Sequence, residues 1–170
     1  PLIFGEDVVS GGNFHGMYLG MVADDIAYCM TMLANISERR LERLVNSDLN
    51  GFLPSFLVKD AGLNSGFMIV QYAAAADVAE CRQLSNPASV HTIPTCQGTE
   101  DVVSMAGWAS RKAFTSTVLV SNVLAYELFA ACQALDFTLT DEVKSSGPVM
   151  ELYNKVREKV PFIKSDTYMN

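Results

Sequence analysis

The sequence predicts an all-α fold, a bundle of long helices, and three observations carry that expectation. Two stretches, Met17 to about Asn46 and Thr99 to beyond Phe137, contain no proline, the residue that helix interiors exclude. Apolar residues in both recur at intervals of four and three, which lines up one side of a 3.6-residue repeat. Charged residues make up only 18% of the 170, against 49% hydrophobic, a lean charge content for a soluble monomer. Helices this apolar are expected to be covered on several sides, by other copies of the chain or by a partner segment.

The elements follow in order. In the first helix, Val22, Ile26, Cys29, Leu33 and Ile36 form the predicted packed face over about eight turns. Asn46-Ser47-Asp48, Asn50-Gly51 and Pro54 end it, being stop and turn residues. Phe52 to Val58 carries too many apolar groups for an exposed loop and is read as a buried connector. Asn64-Ser65 is placed to cap a second helix over Gly66 to Leu84, closed by Pro87. Its Ala73-Ala74-Ala75-Ala76 run lacks bulk, so neighbouring backbones can approach there. A connector over Asn86 to Gly98 leads to a third helix with Thr99 as its N-cap and Val120, Leu124, Leu128, Ala131 and Leu135 on one face. At roughly 57 Å that helix is longer than a small domain needs and predicts a bundle shared between subunits. A short helix over about Val149 to Lys159 follows Pro148, and the tail from Pro161 is expected to be loose.

Composition excludes several functions. A net charge of −7 argues against nucleic acid, whose recognition needs clustered Lys and Arg. Arg39, Arg40 and Arg43 are interleaved with Glu38 and Glu42 and read as a solvated or ion-paired face. Cys29, Cys81, Cys96 and Cys132 contain no C-x-x-C pair and have only His15 and His91 to assist, so no metal site is expected and a reduced, cytoplasmic location is. The apolar run Gly66 to Ala76 is interrupted by Gln71 and falls short of the roughly 20 residues a bilayer requires, so no membrane partner is expected. The opening Pro1-Leu2-Ile3-Phe4 has no initiator Met and reads as part of something longer.

Two segments stand where a loop gives way to a helix-compatible run: Ser10-Gly11-Gly12-Asn13-Phe14-His15-Gly16 and Thr99-Glu100-Asp101-Val102-Val103-Ser104-Met105. Helix starts collect unpaired N–H groups and the positive dipole end, which suits chemistry on polar substrates. With Asn35 to Arg40, Phe56 to Val58, Gly62 to Ile69 and Asn86 to Val90 they form six collinear motifs. In order and spacing this set resembles the aromatic amino acid ammonia-lyase and aminomutase family, over nearly the whole chain, and most closely its histidine-directed members.

The resemblance implies an all-helical homotetramer that eliminates ammonia from a small α-amino acid, here L-histidine to urocanate. It implies an electrophilic methylidene-imidazolone prosthetic group formed from an internal Ala-Ser-Gly. The chain contains no such tripeptide; Ser145-Ser146-Gly147 is the nearest string and lies in a late loop. The catalytic tyrosine loop of the family is missing too. The expectation is therefore a fragment downstream of the electrophile, inactive alone.

By the same resemblance Phe14 lines the substrate pocket, and Glu100 is the acidic group near the substrate. A carboxylate there can pair with imidazole or ammonium and move a proton, which an amide cannot do. Asn13 and His15 flank the pocket phenylalanine, and Thr99 can reach the pocket from its cap position. Val102 stands where histidine-directed relatives usually have His, and Cys96-Gln97-Gly98 replaces a run of small residues. These departures keep a tyrosine or phenylalanine lyase or aminomutase open as an alternative. A non-catalytic helical assembly module is the alternative of another class.

Overall fold

A computed structural model describes residues 2–11 and 14–169. It opens on a small antiparallel hairpin, β1 (Leu2–Phe4) and β2 (Asp7–Val9), with Leu2 opposite Val9. The sequence reading assigned no strand there; the turn between the two is Gly5 at φ 65, a left-handed conformation that costs glycine little. All other regular structure is helical: α1 (Met17–Val45), α2 (Ser47–Asn50), α3 (Met68–Leu84), α4 (Ala106–Thr138) and α5 (Gly147–Arg157).

Helices α1, α3 and α4 pack on one another to form the bundle. At 29 and 33 residues, α1 and α4 extend roughly 44 and 50 Å. The core they share is built largely of small side chains on the long helices. Ala27, Ala34, Ala74, Ala109 and Ala130 are fully buried, which brings helix axes close. Bulk comes from Phe67 stacked on Phe129 at 4.6 Å, with Leu41, Val78 and Val123 around them.

The expected packed face of α1 is corrected by this arrangement. Val22, Ile26, Leu33 and Ile36 are exposed, as is Cys29. The side turned to the core is instead Ala23, Ala27, Thr31, Ala34 and Ser37. Both stripes have helical spacing, and weighting residues by hydrophobicity selects the bulky one. Close helix approach selects the small one. On α4 the expected face is only partly turned inward: Val120 is buried, with Ala113, Ser116 and Val123, whereas Leu124 and Leu128 are exposed. By length and composition α4 is also apolar enough to cross a membrane. Its buried Lys112, Ser116 and Gln133 face neighbouring protein.

Ends and connectors are specified by polar groups. The Asn46 side chain accepts from the Asp48 N–H at 3.0 Å, starting α2 where α1 stops, and Gly51 at φ 76 closes it. The connector from Phe52 is buried at Leu53, Leu57 and Val58, as expected, although Phe52 itself is exposed. Helix α3 begins at Met68, two residues later than Gly66, because Gly66 sits at φ 51 against the Phe56 carbonyl and the Val58 side chain.

The expected cap of α3 is corrected too: its N-cap is Phe67 and it has no side-chain cap. The N–H groups of Ser65 and Gly66 donate to the Asp166 carboxylate at 2.8–2.9 Å, and the Asn64 side chain instead bonds the Lys59 carbonyl and the Asp166 N–H. The tail beyond Pro161 is thus anchored rather than loose. Ile163 is buried, and its N–H and carbonyl both bond the fully buried amide of Gln133.

Two members of the arginine cluster of α1, Arg39 and Arg40, are ion-paired, and the Arg40 pair reaches across the bundle. Arg40 holds Glu127 of α4 with two bonds, at 2.5 and 2.7 Å, and Ser37 donates to the same carboxylate at 2.6 Å. Arg39 pairs with the buried Glu38 at 2.5 Å.

Candidate active site

The two loops singled out in the sequence lie at the starts of α1 and α4. Phe14 and His15 form a turn ahead of α1, their rings 4.1 Å apart and inclined at 35°. The Phe14 side chain is 74% exposed, so it is not the core packing that an apolar ring at a helix start would otherwise suggest. Gly16, at φ 70, turns the chain into the helix. Asn13 lies outside the described residues.

Glu100 and Thr99 occupy a loop, not the first turn of α4. The helix begins only at Ala106, after Met105 at φ 54. The capping role expected of Thr99 is therefore corrected. Its N–H donates to the Cys96 carbonyl at 3.0 Å and closes the short turn Cys96–Gly98, and the residue is exposed. The path leaves the helix because Val103 donates its N–H to the Thr92 hydroxyl at 2.9 Å. Glu100 exchanges main-chain bonds with Thr95, at 2.8 and 3.3 Å. Its side chain is half-buried and has no hydrogen-bond or ion-pair partner among the described residues.

Two contacts bring the loop and the start of α1 together. At Gly20, one turn into α1, a Cβ would stand 2.9 Å from the Ser104 carbonyl oxygen and 3.3 Å from the Ala106 Cα, so glycine permits the close approach of the two helix starts. One turn further on, Asp24 is 5% exposed. Its carboxylate accepts from the N–H groups of Ala88 and Ser89 at 2.9 and 2.8 Å and lies 3.2 Å from the Lys112 ammonium of α4. Lys112, 4% exposed, also donates to the Asn86 carbonyl. Burial alone would raise the Asp24 pKa; the bonds from Ala88, Ser89 and Lys112 outweigh it and hold the carboxyl at about 2.

Asp24, Lys112 and Thr92 were missed by sequence reasoning. The available clue was an Asp four residues beyond Gly20 on the alanine side of α1, visible only once that side is known to face inward.

Chemically, the arrangement presents an aromatic face and an unpaired carboxylate on held loops, both within reach of solvent. Among the described residues, concavities lie away from both loops, one between α4 and α5 around Leu128 and Val160, another where Tyr168 and Met169 cross α3. A substrate enclosed at Phe14 or Glu100 would need walls from other protein.

Comparison with known proteins extends this geometry. The family model described as aromatic amino acid lyase matches residues 1–158. Histidine ammonia-lyase of Caenorhabditis elegans is 49% identical over 99% of this chain, which spans 25% of that protein. The crystal structure of histidine ammonia-lyase from Trypanosoma cruzi superposes with a TM-score of 0.90 at 43% identity, over 99% of this chain and 33% of that one. Pantoea agglomerans phenylalanine aminomutase superposes with a TM-score of 0.89 at 32% identity, over 96% of this chain and 32% of its own. The chain thus covers about a quarter to a third of the length of these relatives.

Proposed function

Because this chain belongs to the aromatic amino acid lyase family, we propose that it is the Phe14- and Glu100-bearing part of an enzyme that eliminates ammonia from L-histidine to give urocanate. The observation that carries the substrate is the 43% identity to the superposed histidine ammonia-lyase, against 36% to a tyrosine aminomutase and 32% to a phenylalanine aminomutase. The unpartnered Glu100 carboxylate supports the same reading.

Elimination removes the α-ammonium with its bonding electron pair and a proton from Cβ, whose C–H electrons form the new double bond. Glu100 is suited to hold the imidazole or ammonium of the substrate, or to carry the proton, because its oxygens are free to accept. Phe14 offers its ring face to the planar side chain of the substrate. The methylidene-imidazolone of the family supplies the electrophile that makes the amine a leaving group. It arises from an Ala-Ser-Gly that these 170 residues do not contain, so they do not form the group.

A homotetramer is part of the proposal. The exposed apolar stripes of α1 and α4 are what self-association would cover, and it would also bring other walls to Phe14 and Glu100. A cytoplasmic location is in keeping with four free cysteines.

The test is Glu100→Gln in the full-length protein. Histidine turnover should fall by about 10²- to 10⁴-fold, the range for a lost acid–base group, while an apolar aromatic amino acid binds as before. An unchanged rate overturns the role of Glu100. Ammonia released from histidine by the pure 170-residue chain overturns its dependence on the rest of the enzyme.

A further inference from the structure

The connector that carries Glu100 has almost nothing apolar to hold it. Between Ser85 and Met105, Ala88 alone is buried, and the surrounding cluster is Ala23, Ala88, Ala109 and Ala113 with Met105 against it. Hydrophobic burial scales with apolar area, and alanines offer little. Order in this segment therefore rests on polar bonds, and the bonds form a series. Asp24 takes two consecutive N–H groups, from Ala88 and Ser89; Thr92 then takes the N–H of Val103; Thr95 and Glu100 close the loop through their main chains. Lys112 completes the start of the series by holding both Asp24 and the Asn86 carbonyl.

A buried ion pair is a weak source of stability compared with apolar residues of the same volume, and its best-attested use is to impose one arrangement. Here the arrangement is directional, because a carboxylate that accepts two successive N–H groups fixes the heading of the chain. Asp24 and Lys112 lie on α1 and α4, the two helices whose starts flank the candidate site.

We propose that the Asp24 and Lys112 pair is a positioning device for the Glu100 loop, acting on turnover through the connector without touching substrate. The inference rests on Glu100 working at the substrate. A shift of the order of 1 Å in a catalytic group costs about a hundredfold in rate.

The experiment compares full-length wild type with Asp24→Asn, Lys112→Met and, as a control, Asp136→Asn. Asp136 is a partly buried partner of Arg157 and Tyr153 between α4 and α5, remote from the connector. Steady-state kinetics with histidine and thermal unfolding are measured on each. The expected result is a fall in kcat of about tenfold to a hundredfold for Asp24→Asn, a smaller fall for Lys112→Met, KM little changed, and kcat retained in Asp136→Asn at a comparable loss of Tm. Wild-type kcat in the two connector variants, or a kcat that tracks Tm equally in all three, overturns the proposal. If Asp24→Asn does not fold, Lys112→Met against Asp136→Asn decides in the same way. A wild type that releases no ammonia defeats the proposed function instead. The positioning claim is then read from hydrogen exchange at the Val103 N–H, which speeds up in the connector variants if the device exists and is unchanged if it does not.

Discussion

Replacing Gln133 by leucine should release the tail that crosses the bundle. Gln133 is fully buried in α4; its amide nitrogen donates to the Leu57 and Ile163 carbonyls at 3.0 and 2.8 Å, and its oxygen accepts from the Ile163 N–H at 3.1 Å. Leucine matches the volume and removes all three bonds. At a net 0.5–1.5 kcal/mol for each bond, the two bonds to Ile163 hold the tail by about 2 kcal/mol, and the freed tail can hydrate its own groups. Since every 1.4 kcal/mol is tenfold in an equilibrium constant, the Ile163 amide should exchange about thirtyfold faster. Hydrogen exchange on the full-length protein reads that amide directly, with the amides of mid-α1 as the internal reference. Exchange at Ile163 within about threefold of wild type would refute the claim that Gln133 is what seats the tail. Equal acceleration in α1 would show global destabilisation in place of local release.

The remaining expectations concern other parts of the molecule. Gly20→Val forces a side chain against the Ser104 carbonyl oxygen, which a Cβ would meet at 2.9 Å, and should cost about 1–3 kcal/mol, visible as a lowered Tm. Asp24, with a pKa of about 2 against an ordinary 3.8, contributes stability that is complete above the ordinary value and is lost as pH falls through the folded one. The shift corresponds to about 2 kcal/mol, so the stability gap between wild type and Asp24→Asn in denaturant titrations should be widest near neutrality and narrow in acid. A gap independent of pH would contradict the assignment. Ile36→Lys, on the exposed stripe of α1, should reduce the native mass of the full-length protein without unfolding its helices, measured by native mass spectrometry beside circular dichroism.

The positions of α1, α4 and α5 were legible in the sequence because proline, glycine and helical periodicity act locally. Which side of each helix faces inward was not. Val22, Ile26 and Leu33 outweigh Ala23, Ala27 and Ala34 in hydrophobicity, yet the close approach of α1 to its neighbours is open only to the alanine side. The start of α3 differs for a related reason: Asn64 and Ser65 are good local caps, but the turn they stand in is pinned by Asp166, a hundred residues away, and the helix opens only after Phe67, with no side-chain cap. Thr99 failed as a cap because Thr92 and Thr95 capture the main chain of the following loop first. Of the site, Phe14 and Glu100 were found by motif, whereas Asp24 and Lys112 could be found only with the tertiary contacts in hand.

The bond from Ser65 and Gly66 to Asp166 has a consequence for how the chain is made. Synthesis proceeds from the N-terminus at about 5–20 residues per second. The N–H groups of Ser65 and Gly66, in the turn ahead of α3, therefore wait for roughly 5 to 20 s before their acceptor has been added to the chain. During that interval α1 and α3 can pair, but the turn leading into α3 is open to water and its seam with the tail is unfilled. A residue near the end of this segment pins a turn made long before it, so the local fold is finished in an order different from the one in which it is written.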